Sequence, residues 1–272
     1  MAKTIKWSQG NVKLPDRVIH MSLPSGYTCP MALKCLCKAN ANTGKITDGP
    51  HQEYRCYAAM QEARHKGLRE QRWNNYIALK KLSIDDMYLL LQTSLHNIHE
   101  KYTANHGQRP LVRAHIGGDF FNENYFNAWL KLAKHYEPTQ FYAYTKRTDL
   151  WVDKCKSIPD NFELNASRGG KRDDLIDTYN LKCAEVVLSK QEAINKNLEL
   201  DHDDSHAYQP GPSFAQLIHG CQKAGSKASK ALSKLKKDEG YTGYNSNTKT
   251  MSQRNRNILL YSKHLKPKTR TI

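Results

Sequence analysis

Apolar residues recur along the first 221 residues in two patterns, short runs typical of buried strands and longer stretches with helical spacing. The clearest strand-like runs begin near residues 111, 140, 162 and 184, which are 29, 22 and 22 residues apart. An earlier run at 17–23 and a short one at 198–200 extend the series. This spacing predicts repeated strand–helix units, a mainly parallel sheet and therefore an α/β fold.

Helix-initiating residues stand between these runs. Asn122 begins an amphipathic stretch that extends to about His135, and Ser189 with Glu192 forms a capping box. Two longer helical patterns fall before the run at 111, one from about residue 53 to 81 and one that Ser83 caps. Together they predict a helical insertion over residues 53–102.

Five or six parallel strands with crossover helices form either a doubly wound sheet or a partial parallel βα barrel, and we favour the partial barrel. Both folds place functional groups directly after the carboxyl ends of the strands. Gly117-Gly118-Asp119, Lys146 and Arg168 occupy such positions after three successive runs. Glycines let a ligand approach the backbone, and cationic side chains bind anions. These residues are therefore the candidate cofactor-binding residues.

Four of the seven cysteines fall within one segment after the first strand, at Cys29, Cys35, Cys37 and Cys56. An odd cysteine count does not fit a disulfide framework, and a cytosolic chain keeps its thiols reduced. The segment 29–56 therefore fits an iron–sulfur cluster, a structural zinc site or a set of inert buried thiols. Because two cysteines separated by one residue are too close for the usual zinc knuckle, we favour an iron–sulfur cluster. Cys56 is the expected fourth ligand, and Cys221 is the alternative.

The net charge of +16 is unevenly distributed. Residues 222–272 contain 13 Lys and Arg against two acids, which gives +11 and leaves +5 for residues 1–221. We therefore divide the chain into an α/β domain, 1–221, and a basic C-terminal extension, 222–272. The extension begins with a predicted helix at 226–237 and continues with basic residues interleaved with tyrosines. This composition fits either DNA or RNA binding or a solubilising terminus.

Two further segments carry candidate chemistry. Residues 201–206, Asp-His-Asp-Asp-Ser-His, offer ligands for a divalent metal of a phosphoesterase, and the competing interpretation is a solvated acidic loop. The glycines after Arg168 fit a backbone cradle for a phosphate. The sequence contains no apolar run of the ~18 residues that a membrane span needs and no apolar signal core at its start. We therefore expect a cytoplasmic protein that does not span a membrane.

The order of several motifs resembles a bacteriophage family, the gene eighty-eight proteins. The matching segments are the cysteine cluster, 115–121, 141–146, 158–161, 166–170 and 219–220. The resemblance covers roughly residues 11 to 244 and implies a phage origin, and hence the cytoplasm of the host cell.

A second resemblance is to radical S-adenosylmethionine enzymes, which follow their first barrel strand with a three-cysteine loop and their second with a Gly-Gly-Glu segment. Cys29, Cys35 and Cys37 are similar to the loop, and Gly117-Gly118-Asp119 is similar to the second segment. The resemblance implies a [4Fe–4S] cluster, S-adenosylmethionine and radical chemistry. The cysteine spacing differs, being five and then one intervening residues instead of three and then two, and the acid is Asp. A fourth cysteine ligand would leave no open iron for S-adenosylmethionine.

The sequence thus favours a phage iron–sulfur protein, similar to radical S-adenosylmethionine enzymes, that acts on or near nucleic acid. The alternative is a non-enzymatic nucleic-acid-binding protein whose iron–sulfur or zinc site is structural.

Overall fold

The computed structural model describes residues 4–11, 13–241 and 243. Its strands, in chain order, are β1 (Ser8–Gln9), β2 (Val18–His20), β3 (Cys37–Ala39), β4 (Ile46–Asp48), β5 (Leu111–Arg113), β6 (Gln140–Thr145), β7 (Phe162–Ser167), β8 (Cys183–Val187), β9 (Glu199–Leu200) and β10 (Phe214–Leu217). Its α-helices are α1 (Tyr57–Arg64), α2 (Lys66–Leu79), α3 (Ile84–His106), α4 (Glu123–His135), α5 (Thr148–Asp153), α6 (Asp174–Thr178), α7 (Lys190–Asn195), α8 (Ser205–Tyr208) and α9 (Lys227–Glu239). A short 3₁₀ turn spans Cys155–Ser157.

Eight of these strands form one sheet in the order β1, β2, β5, β6, β7, β8, β10, β9. Strand β1 is antiparallel to β2, and every other neighbouring pair in the sheet is parallel. The prediction of a mixed α/β fold with a mainly parallel sheet is therefore confirmed. Strands β3 and β4 form a separate antiparallel hairpin in which Cys37 lies opposite Asp48.

The helical insertion differs from the prediction at its start. In place of one helix from 53 to 81, α1 and α2 meet at His65, whose backbone is extended (φ −116°, ψ 98°). The bend lets Arg72 of α2 reach back to α1, where its Nη1 donates to Glu62 Oε1 at 2.7 Å and to Ala58 O at 2.8 Å. A continuous helix would separate these buried charges, which are costly to leave unpaired.

The helix starts predicted from capping residues are confirmed. The side chains of Ser83, Asn122 and Ser189 accept hydrogen bonds from the first-turn amides of α3, α4 and α7. The predicted helix of the basic extension is also present as α9, which Ser226 caps. Its buried residues, Ala228, Leu232 and Leu235, pack into one cluster with side chains of β8 and β10. Within the described residues, no helix has both the length and the apolar character that a membrane span requires.

The two faces of the sheet differ in character. On one face, apolar side chains such as Val112, Phe141 and Leu164 pack in a cluster with α3 and α4, and α7 and α9 cover the far end of the same face. Alternate residues of the same strands, including Arg113, Tyr144 and Gln216, line cavities on the other face. Because side chains alternate between faces along a strand, one face of the parallel strands forms the core beneath the helices, and the other face forms a polar wall of the cavities.

Asp204 is the centre of a buried ionic cluster on this polar face. Its carboxylate accepts from Arg113 Nη1, from Lys13 Nζ at 2.6 Å, and from the hydroxyls of Tyr142 and Tyr144 at 3.2 Å each. Burial acts to raise the pKa of Asp204, but the charges of Arg113 and Lys13 hold that pKa below its usual value. The cluster ties the segment before α8 to β5, to β6 and to the N-terminal segment.

We expect the substitution Asp204→Asn to lower the free energy of unfolding by about 3–5 kcal/mol, because it leaves the buried Arg113 without its charged partner. Urea unfolding at pH 7 measures the change. The matched control is Asp174→Asn, since Asp174 forms an exposed pair with Arg172 (59% and 46% side-chain exposure). That change should cost less than about 1 kcal/mol.

The same cluster predicts a pH dependence. The contribution of Asp204 is complete above the unfolded pKa of about 3.9 and disappears as the pH falls through the lower folded pKa. The stability gap between the wild type and Asp204→Asn should therefore narrow below about pH 4. A gap that stays constant down to pH 2 would contradict the assignment.

Candidate functional site

A cavity of about 140 Å³ lies at the carboxyl ends of the parallel strands. Its wall includes Cys29, Cys35 and Cys56, the segment 117–119 after β5, and Lys146 after β6. Seven of the nine residues predicted for the site thus meet at one cavity. Cys37 and Arg168 are the two that do not line it.

Cys29 lies in the loop after β2, which packs directly against the segment after β5. Leu23 N donates to Gly117 O at 2.8 Å, and Gly26 N donates to the sulfur of Cys29 at 3.3 Å. Burial, with a smaller contribution from the charge of Asp119, raises the pKa of the Cys29 thiol well above its usual value. Cys29 is therefore protonated at neutral pH in the absence of a metal.

Cys56 is the residue that immediately precedes α1. Burial and the neighbouring Cys35 raise the pKa of the Cys56 thiol to about 11, and the backbone amides of Ala59 and Ala58 oppose this rise. Amides at a helix N-terminus favour a thiolate, so this position can hold a metal-bound sulfur.

Cys37 begins β3 and is only 1% exposed. Burial is the main cause of its strongly raised pKa, with the charges of Cys56 and Cys35 adding to it and the backbone amide of Cys56 opposing it. Cys37 is therefore close to the other thiols but lies within the hairpin rather than at the cavity wall.

The thiols do not converge as the ligands of one ion would. Among residues 4–11, 13–241 and 243, no three His, Cys, Asp or Glu side chains form a group that could hold a single metal ion. A zinc site requires its sulfur atoms at about 2.3 Å from one centre.

Gly117 and Gly118 allow the segment after β5 to pack against the cysteine loop. A Cβ on Gly118 would lie 2.6 Å from Thr28 Oγ1 and 2.7 Å from Leu23 Cβ, and its φ is +89°. A Cβ on Gly117 would lie 2.9 Å from Ser25 Oγ. Both glycines are thus required by protein packing, whether or not a ligand also approaches them.

Asp119 is buried and links β5 to β6. Its Oδ1 accepts from Thr145 Oγ1 at 2.6 Å and from the amide of Phe120, and its Oδ2 accepts from the amide of Lys146 at 2.8 Å. Burial raises the pKa of Asp119, and these three hydrogen bonds oppose the rise. A carboxylate has about four acceptor positions, and these hydrogen bonds use three of them.

The two predicted cationic residues have different surroundings. Lys146 lines the cavity, but its ammonium donates to Ser167 O, Ser167 Oγ and Arg168 O at 2.6–3.0 Å. These three bonds use all of its donors. Arg168 lies outside the cavity and forms a bidentate ion pair with the carboxylate of Asp177.

The backbone amides predicted to bind a phosphate do bind an anionic group, but that group is a carboxylate of the protein itself. The amides of Gly169 and Gly170 donate to the carboxylate of Asp173 at 2.7 and 2.9 Å. Gly169 O also accepts from the amides of Leu33 and Lys34, which fastens the cysteine loop to the end of β7.

The acidic segment 201–206 is not a solvated loop. Asp201 and Asp204 are 1% and 0% exposed. Lys13 Nζ donates to both, and His206 Nδ1 lies 3.1 Å from Asp201. The interpretation as a solvated loop was wrong because distant basic residues neutralise these carboxylates, which the local sequence does not reveal.

A second cavity, of about 440 Å³, adjoins the first, and Tyr57, Arg113, Ile116, Gln216 and His219 line both. None of these residues was predicted for the site from the sequence. Only the alternation of polar and apolar residues within β5 and β10 could have indicated Arg113 and Gln216. Burial lowers the pKa of His219 to about 4, so its ring is neutral at pH 7.

The alternative ligand Cys221 contacts the guanidinium of Arg64 and does not line the cavity. The tyrosines and basic residues of the extension beyond residue 243 lie outside the described residues.

A family model described as Gene product 88 matches residues 2–237 of the chain. The chain belongs to the Gene product 88 family. The predicted resemblance to the phage gene eighty-eight proteins is therefore confirmed. The matched residues include those that line the cavity and all four cysteines of the segment 29–56.

One relative of this Gene product 88 protein is the Gene 88 protein of Mycobacterium phage D29, which is 27% identical over 128 residues. The match covers 46% of each protein, so the chain spans about half the length of this curated relative. No solved structure matches the chain. Neither of these two matches is to a radical S-adenosylmethionine enzyme, so that resemblance stays a prediction.

We expect Gly118→Ala to lower the free energy of unfolding by about 3 kcal/mol or more, because the new methyl group meets Thr28 and Leu23 at a left-handed backbone position. Gly107→Ala is the matched control, since Gly107 also has a positive φ (+63°) but its Cβ would meet nothing within 4 Å. It should cost about 1 kcal/mol. Equal losses in chemical denaturation would show that backbone strain alone matters at Gly118.

Proposed function

We propose that this Gene product 88 protein binds a [4Fe–4S] cluster through cysteines of the segment 29–56, on a partial parallel βα barrel similar to that of radical S-adenosylmethionine enzymes. The observation that carries the proposal is that Cys29, Cys35 and Cys56 line one cavity together with Gly117-Gly118-Asp119. These segments follow β2 and β5, which are adjacent parallel strands.

The curvature of the sheet supports the barrel. Gln216 Nε2 of β10 donates to the hydroxyl of Tyr144 on β6 at 3.1 Å, although β7 and β8 lie between them. Three strand spacings in a flat sheet span about 14 Å. The direct contact is favoured by a sheet that curls toward its polar face, with its helices on the outside.

The cavity suits a group of several atoms. Its volume of about 140 Å³ is roughly ten times what one water molecule needs. Thiolates bind different irons of a cluster, so their sulfur atoms need not meet at one centre. This favours an iron–sulfur cluster over zinc as the occupant.

When bound, such a cluster would supply the electron that cleaves the sulfonium of S-adenosylmethionine and begins a radical reaction. The residues of this chain would bind and orient the ligand. Asp119 has one acceptor position left for an ammonium group. The cavity that Cys29, Cys35 and Cys56 line, the thiol cavity, shares a wall with the larger cavity, and this wall contains Arg113 and Gln216. The substrate is expected on or near nucleic acid, to which the extension with its charge of +11 is attracted.

A second candidate function is nucleic-acid binding without catalysis, with a structural metal site. This function is favoured because polar groups near the cavity are already hydrogen-bonded within the protein. Lys146 and the amides of Gly169 and Gly170 all have partners in the chain itself. Both functions place the protein in the cytoplasm of the host cell.

We expect anaerobically purified protein to contain about four irons and about four sulfides per chain and to absorb broadly in the visible range. Elemental analysis, sulfide determination and an absorption spectrum provide the measurement. Colourless protein with one zinc per chain would contradict the cluster.

We expect neutralising the extension to weaken nucleic-acid binding. Replacing Lys263, Lys266, Lys268 and Arg270 by Gln should reduce the slope of log affinity against log salt by up to about 0.9 per lost phosphate contact with duplex DNA. The matched control replaces four exposed body lysines, Lys45, Lys66, Lys80 and Lys101. If the control variant loses as much salt dependence as the extension variant, the body rather than the extension binds nucleic acid.

A further inference from the structure

We infer that Cys29, Cys35 and Cys56 are the cluster ligands and that Cys37 is a structural thiol, so that one iron has no cysteine ligand from this chain. The inference rests on the proposed cluster and specifies which side chains hold it. In the sequence motif, by contrast, the loop consists of the three cysteines that are nearest to one another along the chain, Cys29, Cys35 and Cys37.

The first observation is the composition of the cavity wall. Cys29, Cys35 and Cys56 line the cavity, whereas Cys37 does not. Cys29, Cys35 and Cys56 are also partly accessible, while Cys37 is 1% exposed. A cysteine that binds an occupant of the cavity must belong to its wall, and three of the four do.

The second observation is the use that the fold makes of Cys37. Its backbone belongs to the hairpin, where it lies opposite Asp48. Its carbonyl oxygen would lie 2.4 Å from a Cβ on Gly26, so the strand passes directly beneath the loop that carries Cys29. Cys37 thus belongs to the strand that supports this loop.

The third observation is how the chain delivers Cys56. The backbone segment between the hairpin and α1 is held by Glu53 N and Tyr54 N, which donate to Lys34 O at 2.8 and 3.2 Å. These bonds attach residues 53 and 54 to the cysteine loop beside Cys35. Cys56 thereby reaches the cavity from the start of a helix, although it is 27 positions after Cys29 in the sequence.

The glycine segment closes the other side of the same wall. Ala58 in the first turn of α1 lies 3.0 Å from the Cβ position of Gly117. The helix that begins after Cys56 therefore packs on the Gly117-Gly118-Asp119 segment. The three thiols and the candidate ligand-binding segment form one continuous wall, with Cys37 behind it.

The test compares Cys37→Ala with Cys56→Ala in the full-length protein, purified anaerobically and supplied with iron and sulfide. Cys155→Ala, in the 3₁₀ turn away from the cavity, is the matched control. We expect Cys37→Ala and the control to keep the iron and sulfide content of the wild type. Cys56→Ala should lose most of both. Circular dichroism shows whether each variant is folded.

The reverse pattern, loss in Cys37→Ala and retention in Cys56→Ala, would overturn the assignment, as would equal loss in both folded variants. A wild-type protein without iron would instead refute the proposed cluster itself.

A measurement on the wild type does not depend on the folding of any variant. A cluster with one iron that lacks a thiolate should lose that iron under mild oxidation by ferricyanide. The expected product is a three-iron form with its own electron paramagnetic resonance signal and about three-quarters of the original iron. A cluster that keeps all its iron under this treatment would have four cysteine ligands and would contradict the inference.

Discussion

The buried carboxylate of Asp204 is the interaction on which the polar side of the sheet depends. A charged arginine inside a protein is tolerated only when a partner compensates for the lost hydration. Asp204 provides that partner to Arg113 and also accepts from Tyr142 and Tyr144. Because Arg113 and Tyr144 line the thiol cavity, the position of its inner wall is set by this carboxylate.

The opposite, outer end of the cavity is built mainly from backbone contacts. The loop with Cys29 and Cys35 is bonded to the end of β7 through Gly169, and it packs on Gly118 where no side chain would fit. Backbone hydrogen bonds and missing Cβ atoms fix a loop without using polar side chains. The thiols therefore stand on a rigid support while remaining available to a ligand.

The sequence predicted those elements that have strong local signals. Strand β6 and the caps at Ser83, Asn122 and Ser189 follow from periodicity and side-chain chemistry within a few residues. Strand β10 was not predicted because it is four residues long and follows Pro210 and Pro212, which indicate a loop. The bend at His65 and the partners of Asp201 and Asp204 depend on residues far away in the chain. Likewise, spacing brought Cys37 into the candidate set, whereas only the three-dimensional arrangement shows that it lies in the hairpin and does not line the cavity.

Tyr57 immediately follows Cys56, donates its hydroxyl to Ile116 O at 2.6 Å and contributes to the walls of both cavities. Its ring also contacts His219, with 4.8 Å between the ring centroids. A molecule that displaces this ring in the larger cavity must change the shape of the smaller one. Two occupants that both contact this ring would therefore be thermodynamically coupled through one aromatic side chain, with the same coupling energy in both directions.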